Sequence, residues 1–260
     1  MLYYFIISLP FVFMLTRLFL TNFIIPHFKK KSLYSQMKER CEWPMIERAD
    51  NILKKIYKGT YAKMTSIIYR HMHLITNNEL IYGEIDFLSF FTLLEKTKPQ
   101  HKEIFYDLGS GAGKAVFTAA LFFDLSKSCG IELLPPLYRK ANHQLKKASR
   151  LFQNSKINID VKFLRHVSTI LFINDNFLQY DFCDANIIYV AATCLSDTTW
   201  EQLINKMADL SPGCRIIVAT KSIEHSKFEL IYQGVELMSW GLCPVKIYKI
   251  KKGSVSLSGC

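Results

Sequence analysis

The chain has 260 residues, half of them hydrophobic, with a formal net charge of +11 and seven cysteines. That length accommodates one α/β domain with appendages. The cysteines are scattered and odd in number, with no Cys-x-x-Cys spacing, which argues against a disulfide framework and a zinc site. The positive balance suits an acidic partner such as nucleic acid, anionic lipid or an acidic protein face, or serves solubility alone.

Residues 2–28 are strongly apolar and aromatic, interrupted by Pro10, Arg17 and Asn22 and followed by Lys29, Lys30 and Lys31. A run of this length spans a bilayer, so residues 1–28 are expected to be a membrane anchor. Lysines placed after the run would leave the remaining chain on the cytoplasmic side. A buried or amphipathic N-terminal helix is the alternative. Residues 32–100 are expected to form a helical extension. Leu33, Met37 and Cys41 recur at helical spacing, Pro44 is expected to break that run, and Ile46, Ala49, Ile52, Leu53 and Ile56 resume it. Residues 60–71 form a further expected helix. His71 and His73 have no cysteine or acid at ligand spacing and read as a surface pair at its end, so no metal is expected. The basic residues of this region either dock a negative partner or cover a solvated face. Tyr82, Gly83 and Glu84 then lie on the approach to the sheet, positioned to close over a ligand. Asp86 is suited to cap a helix from Phe87.

Residues 104–108 lean apolar and read as a short buried strand, and Gly109, Gly111 and Gly113 follow at once. Residues 112–123 read as a buried helix. A strand, a glycine turn and a helix N-terminus make a ligand cradle, because glycine lets backbone N–H groups approach a bound molecule. Asp107 narrows the ligand, since a carboxylate just ahead of the glycines would repel a pyrophosphate. A phosphate-binding loop ending at Lys114 would also need glycine at 108 and Ser or Thr at 115, where the chain has Leu108 and Ala115. S-adenosylmethionine fits instead, with a sulfonium, an ammonium and a ribose. Glu132, at the end of the next expected strand, is placed to accept hydrogen bonds from ribose hydroxyls.

Pro135 and Pro136 open an expected basic amphipathic helix reaching about residue 152. Residues 157–163 alternate as a strand or an insertion. Residues 170–173 form a third strand, after which Asn176 could accept from an adenine amino group and Phe177 could pack on the ring, or the two are a turn residue and a core aromatic. Residues 187–190 are a fourth strand and lead into Ala191, Ala192 and Thr193 at the sheet edge where such folds bind ligands. Ser196 or Asp197 caps the next helix. A fifth strand covers 215–219, and closing strands over 227–232 and 245–250 join through Ser239, Trp240 and Gly241. The tail 253–260 is small and polar, expected to be flexible.

Asp107-Leu-Gly-Ser-Gly-Ala-Gly113 with Glu132 resembles the first two motifs of class I S-adenosylmethionine-dependent methyltransferases. More narrowly, the chain resembles the Dot-one (disruptor of telomeric silencing) histone-lysine methyltransferases and their bacterial-type relatives. That likeness runs through Tyr82-Gly-Glu84, Gly130-Ile-Glu132, Asn176-Phe177, Ile187-Ile-Tyr-Val190, Leu210-Ser-Pro-Gly213 and Ser239-Trp-Gly241, over roughly residues 75–250. A membrane-anchored mitochondrial lysine methyltransferase family is similar over a shorter stretch. The resemblance implies an α/β fold, a Rossmann-like seven-stranded class I methyltransferase sheet over residues 101–252. It also implies S-adenosylmethionine as cofactor and a protein lysine as methyl acceptor. Tyr82, Glu84, Asp107, Gly109, Ser110, Gly111, Gly113, Glu132, Asn176 and Phe177 would bind the cofactor, with Tyr82, Thr193 and Trp240 lining the acceptor channel. The chain departs from the family at Ala191 and Ala192, where an asparagine is usual, and at Lys114, where a neutral amide is usual. A small-molecule or lipid methyltransferase, or an inactive cofactor-binding module, are the alternatives.

Overall fold

A computed structural model of the chain describes residues 20, 24–76, 78–153, 167–238 and 241–252. Residues 157–163, Trp240, the tail and most of the expected anchor lie outside these residues.

Three helices come first, α1 (Ile25–Lys38), α2 (Trp43–Tyr57) and α3 (Ala62–Met72). The expected break falls at residues 39–42, and the run resumes as α2 with Pro44 at its start. The proline occupies the first turn of α2, where its missing N–H has no helical partner to lose. Helix α4 (Phe87–Lys96) begins at Asp86, whose side chain accepts from the Leu88 N–H at 3.2 Å. Strand and helix then alternate: β1 (Ile104–Leu108), α5 (Lys114–Phe122), β2 (Lys127–Ile131), α6 (Pro135–Gln153), β3 (Ile170–Ile173) and β4 (Ile187–Ala191). Helix α7 (Asp197–Met207) follows, capped by Ser196, which accepts from the Thr199 N–H at 3.1 Å. Strands β5 (Arg215–Ala219), β6 (Phe228–Met238) and β7 (Gly241–Ile250) close the chain.

The seven strands form one sheet in the order β3-β2-β1-β4-β5-β7-β6. The first five are parallel, and β7 runs antiparallel between β5 and β6. Parallel strands need both faces covered, and the two-residue side-chain period divides them here. Phe105, Ile187, Tyr189 and Ile217 face a core shared with α2, α4 and α5. Tyr106, Leu108, Ile188, Val190 and Ile216 face Trp200, Leu203 and Met207 of α7. The N-terminal helices are built into the first of these cores: Met37, Ile46, Leu53 and Ile56 are buried with Phe117 and Phe105. Chain order reverses between β1 and β4, which opens a crevice at their C-terminal ends.

The expected membrane segment needs correction. Among the described residues no helix is long and apolar enough to cross a membrane. Lys29, Lys30 and Lys31, expected to flank a bilayer, lie inside α1, and the first two dock on the domain. Lys30 pairs with Asp86 at 2.8 Å, and Lys29 donates to the Val235 carbonyl beside Glu236.

Arg215, at the start of β5, ties three elements together. Its guanidinium pairs with both oxygens of Glu103, just before β1, and its Nε donates to the Thr97 carbonyl at the end of α4. Both side chains are largely buried, at 12% and 15% exposure. Burial pushes the Glu103 carboxyl up, but Arg215 and the Gln100 N–H outweigh it and hold the group below its ordinary value near 4.5. Glu103→Gln leaves the guanidinium short of its counter-charge and is expected to destabilise the fold by about 3 kcal/mol at neutral pH. A depressed carboxyl stabilises the fold above its unfolded pKa and loses that contribution as pH falls through the folded one. Urea midpoints of wild type and variant should therefore differ at pH 7 and converge in acid below 4.5. A gap independent of pH would refute this account.

Candidate functional site

The site grows from the turn between β1 and α5. Gly109, Gly111 and Gly113 have φ of +90°, +55° and +86°, a region that disfavours any Cβ. The loop folds back on β2, with the N–H groups of Gly109 and Ser110 both donating to the Ile131 carbonyl at 2.9 and 3.0 Å. Gly130 permits this approach, since a Cβ there would meet Ser110. At Gly111 a Cβ would overlap the Tyr82 ring, and at Gly113 the Phe172 ring. The loop is therefore clamped between the third strand and the segment before α4.

Glu132 holds it from below. One carboxylate oxygen accepts from the Gly111 N–H and the other from the Leu134 N–H, each at 2.7 Å. Glu132 is buried, and burial pushes its carboxyl up while these two N–H groups pull the other way. Asp107 lies deeper, 3% exposed, on the sheet face under α2. Among the described residues no donor reaches its side chain. Burial, then the neighbouring charge of Glu132, push its carboxyl well above the ordinary 3.8.

Tyr82 and Glu84 form the roof. The Tyr82 hydroxyl donates to Glu84 and accepts weakly from the Ala112 N–H at 3.4 Å. Burial and then Glu84 push this phenol well above its ordinary value. Glu84 in turn faces Lys114, with nitrogen and oxygen 3.8 Å apart. Ile85 bridges to Met238 and the Asp86 N–H donates to the Leu237 carbonyl, so the roof is pinned to the end of β6. Tyr57, from α2, donates to the Ala112 carbonyl at 2.8 Å and ties the N-terminal helices to the same loop.

Between roof and sheet edge lies a cavity of about 330 Å³. Of the residues expected to bind or react, Tyr82, Gly109, Glu132, Asn176, Phe177 and Thr193 line it. Asp107, Ser110, Gly111 and Gly113 belong to the turn and strand next to this lining without being part of it, and Glu84 stands beside Tyr82. Asn176 is committed in part: its Oδ1 already accepts from the Leu178 N–H at 2.9 Å, leaving one lone pair. Ala191 contributes an apolar patch of wall, and Ala192 is fully buried. Thr193 shares a 2.7 Å hydrogen bond with Thr220, which reaches the Cys243 sulfur at 3.1 Å. Thr220 adopts φ of +78°, an uncommon conformation for a β-branched residue.

Several supporting residues carry no local signal in the sequence. Lys206, on α7, donates to the carbonyls of Phe177, Leu178 and Tyr180 and fixes the loop that carries Asn176. Asn174 donates to the backbone carbonyls of Glu132 and Leu133 and sets the end of β2. Leu80 and Ile81 from the roof, with Leu134 and Leu137 from the start of α6, supply the apolar wall. Only their place in three dimensions marks them, although Gly130 could have been read as a close approach within a strand.

Comparison with known proteins gives this site a family. The histone-lysine N-methyltransferase, H3 lysine-79 specific, of Eremothecium gossypii is 26% identical over 162 residues, 61% of this chain and 27% of its own length. Its counterpart in Yarrowia lipolytica is 27% identical over 213 residues, 79% of this chain and 40% of its own. The chain thus spans well under half of these relatives. The expected membrane-anchored location is corrected by the helices themselves, since none among the described residues is long and apolar enough to cross a membrane and Lys29 and Lys30 dock on the domain. Among solved structures, an RNA methyltransferase from Salinibacter ruber in complex with S-adenosyl-L-homocysteine is 19% identical with a TM-score of 0.48, covering 64% of this chain and 93% of that one. The profile described as "Histone methylation protein DOT1" matches residues 67–259, which takes in the roof, the glycine turn and every strand of the sheet. The chain belongs to that family.

Proposed function

We propose that the chain binds S-adenosylmethionine in the crevice between roof and sheet and transfers its methyl group to a lysine side chain of a protein. The observation that carries this reading is the pair of buried carboxylates around the glycine turn. Asp107 is an acceptor with no donor of its own among the described residues, and Glu132 keeps a lone pair on each oxygen after serving Gly111 and Leu134. Such a site repels a phosphate and favours a cationic, hydroxyl-rich ligand. Asp107 is assigned to the positive end of the cofactor and Glu132 to its ribose. Asn176, through its remaining lone pair, and Phe177 are assigned to the adenine. Gly109, Ser110, Gly111 and Gly113 supply the close backbone, and Tyr82 with Glu84 the cover. The domain organisation follows the same reading, with the helices before residue 101 serving as the roof of a cofactor domain over 101–252.

When bound, the cofactor supplies an electrophilic methyl group on a sulfonium. What the chain contributes is position and exclusion of water. Tyr82 and the leucines of the wall close the cavity over the turn. A lysine must be neutral to react, and its free pKa is about 10.4. The apolar stretch at Ala191 disfavours the ammonium form there, while the Thr193 hydroxyl offers a polar contact. Histone H3, for which the relatives are named, is the first acceptor to test. The apolar wall at Ala191, with Ala192 buried behind it, where the family usually carries an asparagine, favours a second reading as a cofactor-binding module without transfer.

Asp107→Ala is expected to lower S-adenosylmethionine affinity by calorimetry at least ~30-fold, the usual cost of removing one partner of a buried charge pair. Burial pushes the Asp107 carboxyl up, and a cation bound beside it favours the ionised form. Binding should therefore release a proton, seen as a buffer-dependent heat, and affinity should rise with pH as Asp107 titrates. No proton release and unchanged affinity in the variant refute the assignment. Incubating the full chain with methyl-labelled cofactor, recombinant histone H3 and a cell lysate tests the acceptor. Label on protein lysine supports the proposal. Label in the lipid extract, or bound cofactor without transfer, selects an alternative.

A further inference from the structure

Glu79 lies in a short 3₁₀ turn, Asn78–Leu80, just ahead of the roof residue Tyr82, and it is half-buried. It lines the cavity together with Leu80, Ile81, Ala191 and Leu195. Its turn packs against a second one, Ala192–Cys194, which carries the chain out of β4. Across this seam the Ser196 N–H donates to Glu79 Oε1 at 2.6 Å. Ser196 caps α7, and a carboxylate beside a helix N-terminus is favoured by the helix dipole. The Glu79 carboxylate is thus fixed in place from the sheet edge.

The two threonine hydroxyls of the lining are neutral and engaged. Thr193 shares its own with Thr220 at 2.7 Å, and Thr199 accepts from the Ser196 hydroxyl at 3.0 Å. Ala191 brings no polar side-chain atom. Of the other charged residues that line the cavity, Glu132 is committed to Gly111 and Leu134, and Lys63 repels a cation. Glu79 is therefore the group placed to meet a positive charge entering beside β4. A charge-assisted hydrogen bond is about twice as strong as a neutral one, and a half-buried rim screens it less than open water does. Fastening the roof to α7 needs only an oxygen that accepts from Ser196, which a neutral amide would supply. A full negative charge in the lining is more than that contact requires.

We infer that Glu79 is a specificity residue that receives the ammonium of the acceptor and so selects a cationic side chain over a neutral one. The inference rests on the proposed transfer to lysine and adds to it the group that recognises the lysine. Ser196 opens α7 beyond the turn that follows β4, whereas Ala191 ends the strand itself. Recognition at Glu79 and the apolar stretch at Ala191 are separate places along the lining. The amine is met as a cation at the first and gives its proton to water before it reacts beside the second, so holding the charge and losing it do not compete at one position.

The test is calorimetry of the full chain with two adenosyl probes that carry an aliphatic arm in place of the transferable methyl. One arm ends in an ammonium and the other in a hydroxyl, each made in a series of lengths. Wild type should prefer the ammonium arm by at least ~10-fold at one of these lengths, the usual margin for a hydrogen bond to a charged group. Glu79→Gln keeps an oxygen for the Ser196 N–H and removes the charge. It should abolish the preference, bind the hydroxyl arm and S-adenosylhomocysteine as wild type does, and melt at the same temperature. A wild type indifferent to the charge of the arm overturns the inference and leaves the cofactor site standing, as does a preference that Glu79→Gln retains. A variant that weakens both probes alike and melts earlier makes Glu79 a fastening residue and overturns it too. A chain that binds neither probe nor S-adenosylhomocysteine overturns the cofactor reading and this inference with it.

Discussion

The Glu132 carboxylate, held between the N–H groups of Gly111 and Leu134, is the contact on which the site depends. It joins the first turn after β1 to the entry into α6, and it does so as a buried negative charge. Burying a carboxylate is costly unless donors meet it, and two charge-assisted bonds from the backbone are what make this one tolerable. Asp107 has no such donor among the described residues, and burial, then the neighbouring Glu132, push its carboxyl up. A turn built from two carboxylates and three glycines of positive φ is an anion-repelling cradle, although it has the shape that elsewhere binds phosphate. Shape and charge point to different ligands here, and charge decides.

The N-terminal helices are what make the cradle a cavity. Tyr82 occupies the space that a Cβ at Gly111 would need, Tyr57 reaches the Ala112 carbonyl, and Ile85 is bridged to Met238 across the sheet edge. The roof is therefore attached to the glycine turn on one side and to the β6–β7 hairpin on the other. A shift of α2 would be felt at the turn through Tyr57, and a shift of the hairpin at Tyr82 through Ile85. The helices before the sheet belong to the site as much as to the core.

Much of this was legible because it is local. Residues 104–108, 170–173 and 215–219 were readable as strands from buried apolar runs, and Asp86 and Ser196 as caps from their side-chain chemistry. Asp107, the glycines and Glu132 stood out because the turn that carries them is written in consecutive residues. Illegible parts depend on contacts between distant segments. Lys206 looks like a solvated helix residue, yet it gathers three carbonyls some 26 to 29 positions away. Strand β6 runs well beyond the expected 232 because it lies at the sheet edge, where exposed positions blur the alternation. The lysines at 29–31 carried a membrane reading because a cation cluster after an apolar run has the same composition whether it flanks a bilayer or docks on Asp86 and Glu236.

Charge is thus divided by depth: carboxylates within the crevice, lysine and arginine along α6. The two do not cancel, because water and salt screen surface charges beyond about 8 Å while a buried carboxylate acts on whatever enters its cavity.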